Sequence, residues 1–198
     1  MVKNTLNEKI IEVAIKIAKR SEGALIVVGK CEYTPLVKQE VKPFNIIENP
    51  KLLESLALMD GAVVLDKFGI LVAYGVKIKS NRIFPNFGTR HSAGMSASVN
   101  EGTTAYVISE EDKKIRVFKG GRQVMQIDAL EKQIERKIPE ITNLLGSIGF
   151  GTLGSIGASV LFPTLGIAFL PGVIVFGSGY WIISKIKEMS NSNGKRNI

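Results

Sequence analysis

The sequence has little of the chemistry that sulfur and imidazole provide, because its 198 residues include one cysteine and one histidine. A single cysteine, Cys31, excludes an intrachain disulfide and a thiolate metal cluster, which fits a reducing compartment. The single histidine, His91, excludes a cluster of histidine metal ligands and leaves one candidate for imidazole chemistry. An apolar run followed by small residues is missing near the N-terminus, so no secretory signal is predicted.

Charge is missing from one long segment, since residues 141–184 contain no charged side chain. A bilayer crossing needs roughly 20 mainly apolar residues, so the segment predicts two helices, about 141–162 and 164–183, hinged near Pro163. Basic residues flank the segment on both sides, and two crossings would leave both flanks in the cytoplasm. The alternatives are a glycine-rich helical hairpin buried in a soluble oligomer and one lying in the membrane interface.

The chain therefore divides into three parts. We expect one folded domain over residues 1–140, a transmembrane helical hairpin in contact with membrane lipid over 141–187, and a flexible basic tail over 188–198.

The net charge of +8 suits polyanionic ligands such as nucleoside triphosphates, nucleic acid or acidic lipid headgroups, and does not choose among them. The protein is expected to be membrane-anchored with its domain in the cytoplasm.

The first 140 residues mix helical and strand patterns. Apolar residues at helical spacing predict amphipathic helices over about residues 5–20 and 127–138, and further helices are predicted over about 52–58 and 90–99. Apolar runs bounded by turn residues predict strands over about 24–28, 62–65, 70–78, 105–109 and 115–118. Residues 29–49 show no strong period, and Pro139 is expected to close the domain. The pattern predicts an α/β fold with a mixed central β-sheet flanked by helices, followed by the C-terminal hydrophobic helical hairpin.

Small, hydroxyl and cationic residues stand where the third helix is expected to begin, in the segment Gly88-Thr89-Arg90-His91-Ser92. Unsatisfied backbone N–H groups and the helix dipole favour an anion at such a place. Thr89 could cap the helix, Arg90 could hold phosphate oxygens in a planar fork, and His91 and Ser92 could donate further hydrogen bonds. Many helices begin with a threonine and a cation, so the segment alone does not establish a phosphate site.

Four blocks, taken in order, closely resemble the diadenylate cyclase domain. They are GALIVV at 23–28, MDGAVV at 59–64, GTRH at 88–91 and VISEE at 107–111. This domain is the nucleotide-binding domain of the DNA-integrity scanning protein and of membrane-anchored cyclic di-AMP synthases. The resemblance runs over about residues 5–125. Without it, Asp60 and Gly61 would read as a common Asp-Gly turn.

The resemblance implies an activity and a set of site residues. Two ATP molecules would condense into cyclic di-AMP and two pyrophosphates, in a homo-oligomer whose protomers meet face to face. Asp60 would bind Mg²⁺ or Mn²⁺ and help to activate the 3′-hydroxyl, with Arg90 and His91 as further catalytic residues. Ile78 would pack on adenine. The ATP-binding residues would be Gly61, Ala62, Ile78, Gly88, Thr89, Arg90, His91, Ser92 and Ser109.

Three positions depart from the family pattern. The second motif usually reads Arg-His-Arg, and its third position is Ser92 here. Met59 stands where the membrane-anchored branch often has a histidine metal ligand, and Val99 stands where that branch has a glutamate. A noncatalytic membrane-tethered module that binds ATP or cyclic di-AMP is therefore the alternative. Nothing in the chain resembles the DNA-binding module of the scanning protein, so no nucleic-acid partner is expected.

Overall fold

The computed structural model describes residues 2–79 and 88–147 and two short segments at 161–162 and 167–169. The helices are α1 (Val2–Lys19), α2 (Pro50–Ala57), α3 (Thr89–Ala97) and α4 (Ile138–Ser147), with a 3₁₀ turn at Ile134–Lys137 before α4. The strands are β1 (Ala24–Val28), β2 (Tyr33–Pro35), β3 (Ala62–Leu65), β4 (Leu71–Ile78), β5 (Thr104–Ile108), β6 (Lys114–Lys119), β7 (Arg122–Asp128), β8 (Leu161–Phe162) and β9 (Ile167–Phe169).

The strands form one mixed sheet in the order β2-β4-β3-β1-β5-β6-β7-β9-β8. The pair β1 and β3 is parallel, and the other strand pairs of the described residues are antiparallel. A parallel pair needs a crossover connection, and α2 lies within the one that joins β1 to β3. The predicted mixed central sheet with flanking helices is confirmed.

Helices cover the central sheet on both faces, which explains why its central strands are apolar without interruption. On β1, Ala24 and Ile26 face the core beneath α1, α2 and α4, whereas Leu25 and Val27 face the core beneath α3. Successive side chains of a strand point to opposite faces, so a strand buried on both needs an unbroken apolar run. These surfaces are called the α1 face and the α3 face below.

One predicted helix, over residues 127–138, is wrong. Ile127 belongs to β7, where it pairs with Ile115 of β6, and the glycines at 120 and 121 form the turn between these strands with φ of 58° and 70°. Pro139 does not close the domain, because it stands in the first turn of α4, where its missing N–H costs no helical hydrogen bond. The edge strand β2 lies in the region where no period was found.

Helix α4 crosses the boundary predicted at residue 140. Its residues Ile141, Leu144 and Leu145 are buried in the core of the α1 face, and the ammonium group of Lys119 donates a hydrogen bond of 2.8 Å to the Leu145 carbonyl. The start of the uncharged segment therefore completes the domain.

Beyond α4, strands β8 and β9 stand where the membrane hairpin was predicted to be helical, and β9 pairs with β7. The remainder of the predicted hairpin over 141–187 and the tail over 188–198 lie outside the described residues. Within the part of the chain that the structure describes, no helix is both long enough and apolar enough to cross a bilayer.

Candidate active site

The site is built around the beginning of α3. Gly88 precedes the helix in an extended conformation, with φ −61° and ψ 164°, and no side chain caps the helix. Thr89 is already the first helical residue, so the prediction that it caps α3 is wrong. The Ser92 N–H donates to the Gly88 carbonyl. The N–H groups of the first turn lack acceptors within the helix and can therefore be offered to an anion.

Gly94 lets α3 lie close to the sheet. A Cβ atom at this position would be 2.5 Å from Cγ2 of Val107 on β5 and 3.5 Å from Cδ1 of Leu25 on β1. Any side chain here would push the helix away from these two strands. The close approach sets the helix start beside the end of β5, where Ser109 begins the turn to β6.

A cavity of about 450 Å³ lies between the start of α3 and the turn that joins β5 to β6. Its volume falls within the range of small-molecule sites. Two cations, one histidine and three carboxylates contribute to its walls. The lining residues are Gly88, Thr89, Arg90, His91, Ile108, Ser109, Glu110, Glu111, Asp112 and Arg116.

Arg90 reaches from α3 across the mouth of this cavity. Its Nη1 atom lies 3.1 Å from Oε2 of Glu110, and both side chains are about half exposed. A Cβ atom on Gly23 would be 2.3 Å from the same nitrogen, so the glycine leaves room for the guanidinium. Exposed ion pairs contribute about 0–1 kcal/mol, so a phosphate can replace Glu110 at little cost. This role of Gly23 was not predicted from the sequence, where the residue only begins the block at 23–28.

A second arginine, Arg116, enters the cavity from β6. Its Nη1 atom donates to Oδ1 of Asp112 at 3.2 Å, and its Nη2 atom pairs with Oδ2 of the same carboxylate. Burial alone would raise the pKa of Asp112, but hydrogen bonds from Arg116, from the Ser109 side chain and from the Lys114 backbone hold that pKa at about 2. Asp112 therefore stays ionised and fixes both Arg116 and Ser109.

Neither Asp112 nor Arg116 was predicted from the sequence. The signal available was strand alternation along β6, which places Arg116 on the same face as Phe118 and therefore under α3. A charged residue between buried neighbours on an inward face would have stood out if the covered face had been known.

His91 lies inside the cavity wall, with its ring edge-on to Phe118 at a centroid distance of 6.4 Å. Burial lowers the pKa of His91 from its ordinary 6.5, and the positive charge of Arg116 lowers it further, against opposing contributions from Asp112 and Glu111. The imidazole is therefore neutral at pH 7. In that state one ring nitrogen donates a hydrogen bond and the other accepts one.

The Asp60-Gly61-Ala62 segment has a structural requirement of its own. Gly61 has φ +97°, and a Cβ atom there would lie 2.6 Å from the Val76 nitrogen on β4. The residue must therefore be glycine for β3 and β4 to pair. Ala62 and Ile78 are buried in the core of the α3 face, whereas Asp60 is exposed.

Strand order brings these residues to the cavity's end of the sheet. Asp60 precedes β3, Ile78 ends β4 and Ser109 follows β5, and the strand directions put all three at one end. Because β3 and β5 flank β1, Asp60 and Ser109 are separated by two strand spacings, roughly 10 Å across the sheet.

The predicted site residues thus fall into two groups. Gly88, Thr89, Arg90, His91 and Ser109 line the cavity together. The others, Asp60, Gly61, Ala62, Ile78 and Ser92, do not line it. Ser92 is 8% exposed, with its side chain turned into the protein.

The donor set for a divalent cation is limited. In the described ranges 2–79 and 88–147 no group of three or more histidine, cysteine, aspartate or glutamate side chains is placed to hold a metal. Magnesium is usually bound by one or two carboxylates together with substrate phosphates and water. The exposed carboxylate of Asp60 fits an ion that arrives with a nucleotide, and a closed protein cage does not fit these residues.

Fold and cavity together define a class of protein, an α/β domain that offers a helix start and two guanidinium groups to an anionic ligand. A family model described as the DAC family, "DisA bacterial checkpoint controller nucleotide-binding", matches residues 12–123. This match covers more than half of the chain, and the chain belongs to that family.

Two curated relatives are named diadenylate cyclase. The one from Haloferax volcanii is 32% identical over 143 residues, which cover 60% of this chain and 51% of the relative. The other, diadenylate cyclase CdaS of Bacillus thuringiensis, is 33% identical over 102 residues, which cover 48% of this chain and 51% of the relative. The chain thus spans about half the length of the curated relatives it matches.

Solved structures resemble the chain more distantly. DacA from Staphylococcus aureus gives a TM-score of 0.49 at 22% identity, over 69% of this chain and 91% of the other. A hypothetical membrane spanning protein from Bacillus cereus gives a TM-score of 0.43 at 26% identity, over 58% and 59% of the two chains. The match to the family model shows the family of the chain, and the strand order of its sheet shows the fold.

Proposed function

We propose that this protein is a diadenylate cyclase that converts two ATP molecules into cyclic di-AMP and two pyrophosphates. The observation that carries the proposal is the cavity at the start of α3, where Thr89, Arg90, His91 and Ser109 converge in a chain of this family. Both curated relatives described above carry the name of this activity.

The cavity is suited to hold a triphosphate. First-turn N–H groups of α3 offer hydrogen bonds to phosphate oxygens, and the positive end of the helix dipole favours their charge. Arg90 exchanges its Glu110 partner for a phosphate, and neutral His91 donates one hydrogen bond to another oxygen. Phosphoryl transfer needs positioning and charge stabilisation more than covalent help from the protein, and these groups supply both.

The reaction requires two nucleotides, so the active unit is a face-to-face dimer. Each 3′-hydroxyl loses its proton to solvent and its oxygen forms a bond to the α-phosphorus of the other ATP, while the bond from that phosphorus to the bridging oxygen breaks and pyrophosphate leaves with the electron pair. Asp60 would hold a Mg²⁺ or Mn²⁺ ion that arrives with the nucleotide, and such an ion would lower the cost of forming an alkoxide from the 3′-hydroxyl. Gly61 lies next to Asp60 at the same end of the sheet, and Ala62 and Ile78 are buried beneath that surface in the core of the α3 face.

The second candidate is a noncatalytic module that binds ATP or cyclic di-AMP. The position of Ser92 favours it, because a buried hydroxyl adds no cation to the cavity at the third motif position.

In either case the uncharged segment supports a membrane tether that leaves the domain in the cytoplasm. Extraction from membranes by detergent but not by high salt is expected, and recovery of the intact chain in the soluble fraction would contradict the tether.

The test of the activity is product formation by the full chain. ATP with Mn²⁺ or Mg²⁺ is expected to yield cyclic di-AMP, and the rate per chain is expected to fall steeply on dilution because two protomers meet. Asp60→Asn should abolish synthesis with little change in Tm, since an exposed turn carboxylate contributes little to stability. Glu101→Gln is the matched control, because Glu101 is exposed in a turn at the opposite end of β5.

Three outcomes would count against this assignment. ATP binding without any cyclic di-AMP would leave the noncatalytic module as the function. Full activity in Asp60→Asn would remove this carboxylate from the mechanism, whereas equal losses in Asp60→Asn and Glu101→Gln would show a general charge effect.

A further inference from the structure

Arg116 lies outside the four sequence blocks that resemble the diadenylate cyclase domain, yet it lines the same cavity as Arg90. Arg90 comes from α3 and is paired with exposed Glu110, whereas Arg116 comes from β6 and its side chain is only 17% exposed. The cavity is therefore lined by two guanidinium groups, one about half exposed at the surface and one largely buried in the wall.

Asp112 holds the Arg116 guanidinium in place and leaves some of its N–H donors available to a ligand. The carboxylate takes two N–H donors of Arg116, and a guanidinium has five. A planar fork anchored along one edge is pre-organised, so less conformational freedom is lost when the remaining donors bind an anion. Asp112 also accepts the Ser109 hydroxyl, so one carboxylate orders two cavity-lining groups.

The negative charges that line the cavity make a second cation necessary for binding an anionic ligand. Three carboxylates, Glu110, Glu111 and Asp112, line the same cavity. With Arg90 alone, a bound triphosphate would face an excess of negative charge. Ser92 cannot correct this, because its side chain is buried and neutral.

We propose that Arg116, positioned by Asp112, is a phosphate-binding residue of this cavity and gives it selectivity for nucleoside triphosphates over uncharged nucleosides. The inference rests on the proposed function where it names ATP as the triphosphate. The predicted contact is between the Arg116 guanidinium and phosphate oxygens.

The test is to measure nucleotide binding by the full chain. ATP and, in a separate experiment, adenosine are titrated into the protein, and binding is monitored by NMR or calorimetry. Arg116→Gln is expected to weaken ATP binding by about tenfold or more, because a hydrogen bond to a charged group is lost. Adenosine binding should stay within about twofold of the wild type. Arg116→Lys keeps the charge and should recover part of the ATP affinity. Arg136→Gln removes an exposed arginine outside the cavity and should change neither affinity.

Each outcome decides the matter. Unchanged ATP affinity in Arg116→Gln would overturn the proposal, and so would equal weakening of ATP and adenosine with a lowered Tm, which indicates a structural role alone. Selective loss of ATP affinity, with partial rescue by lysine, would establish it. Because binding is measured without turnover, selective loss in a chain that makes no cyclic di-AMP would refute the cyclase and leave the role of Arg116 standing.

Discussion

Gly94 is the point where α3 comes closest to the sheet, and Gly94→Ala tests whether this approach holds the cavity in shape. The new Cβ atom would lie 2.5 Å from Cγ2 of Val107, whereas ordinary contacts begin at 3.4 Å. Val107 is fully buried and β-branched, so its side chain has little freedom to turn away. The helix must therefore retreat by about 1 Å, since interiors are close-packed.

Gly94→Ala is expected to lower stability slightly and cyclic di-AMP synthesis strongly. Overpacking costs about 1–3 kcal/mol and alanine returns up to about 1 kcal/mol of helix propensity, so we expect a net loss of roughly 1 kcal/mol. For a chain of this size that lowers Tm by about 2–4 °C. A displacement of about 1 Å at a reacting site can cost about 100-fold, so cyclic di-AMP synthesis should fall far more than stability.

A double-mutant cycle supplies the control, measured by thermal or denaturant unfolding and by product formation. Val107→Ala removes the methyl group that the new side chain meets, so the double variant Gly94→Ala with Val107→Ala should recover part of the lost activity. The two changes should also be coupled in stability by about 1 kcal/mol. Wild-type Tm and synthesis in Gly94→Ala, or additive effects in the cycle, would refute the idea that this close approach sets the cavity.

Two further predictions concern ionisation in the cavity. The single histidine should titrate by NMR with a pKa below 6.5, and Arg116→Gln should raise it, because a nearby positive charge is removed; a midpoint above 6.5 would contradict the described environment. Because protonation of His91 is disfavoured in the folded state, its contribution to stability should be present above pH 6.5 and be lost as the pH falls below it. Asp112 has a depressed pKa, so Asp112→Asn should lower Tm at pH 6, and the difference from the wild type should shrink as the pH falls from 3.8 through about 2. A difference in Tm that does not depend on pH would contradict this.

Much of the fold could be predicted because burial leaves a direct signal in the sequence. The five apolar residues of β1 indicated a strand covered on both faces, and all five are buried in the structure. The helix after Gly88 was predicted within two residues of its observed end at Ala97. The error at residues 127–138 arose because the spacing of Ile127, Ile134 and Ile138 also fits a strand, a 3₁₀ turn and a new helix in succession.

The site was only partly predictable, because local sequence does not reveal which face of a strand will be covered. Thr89, Arg90 and His91 could be predicted from their place at a helix start together with the resemblance to the diadenylate cyclase domain. Arg116 reaches the cavity only through its pairing with Val107 across β5 and β6, together with α3 packed above that face. The charged turn that contains Asp112 looks like ordinary solvated surface until this pairing is known.

The central claim is that the cavity at the start of α3 serves the condensation of two ATP molecules. The most direct test is to incubate the full chain with ATP and Mn²⁺ or Mg²⁺ and to quantify cyclic di-AMP and pyrophosphate, with Asp60→Asn and Glu101→Gln alongside. The account predicts two pyrophosphates for each cyclic di-AMP in the wild type and in Glu101→Gln, and no product in Asp60→Asn. Saturating ATP binding by the wild type with no cyclic di-AMP formed would contradict it.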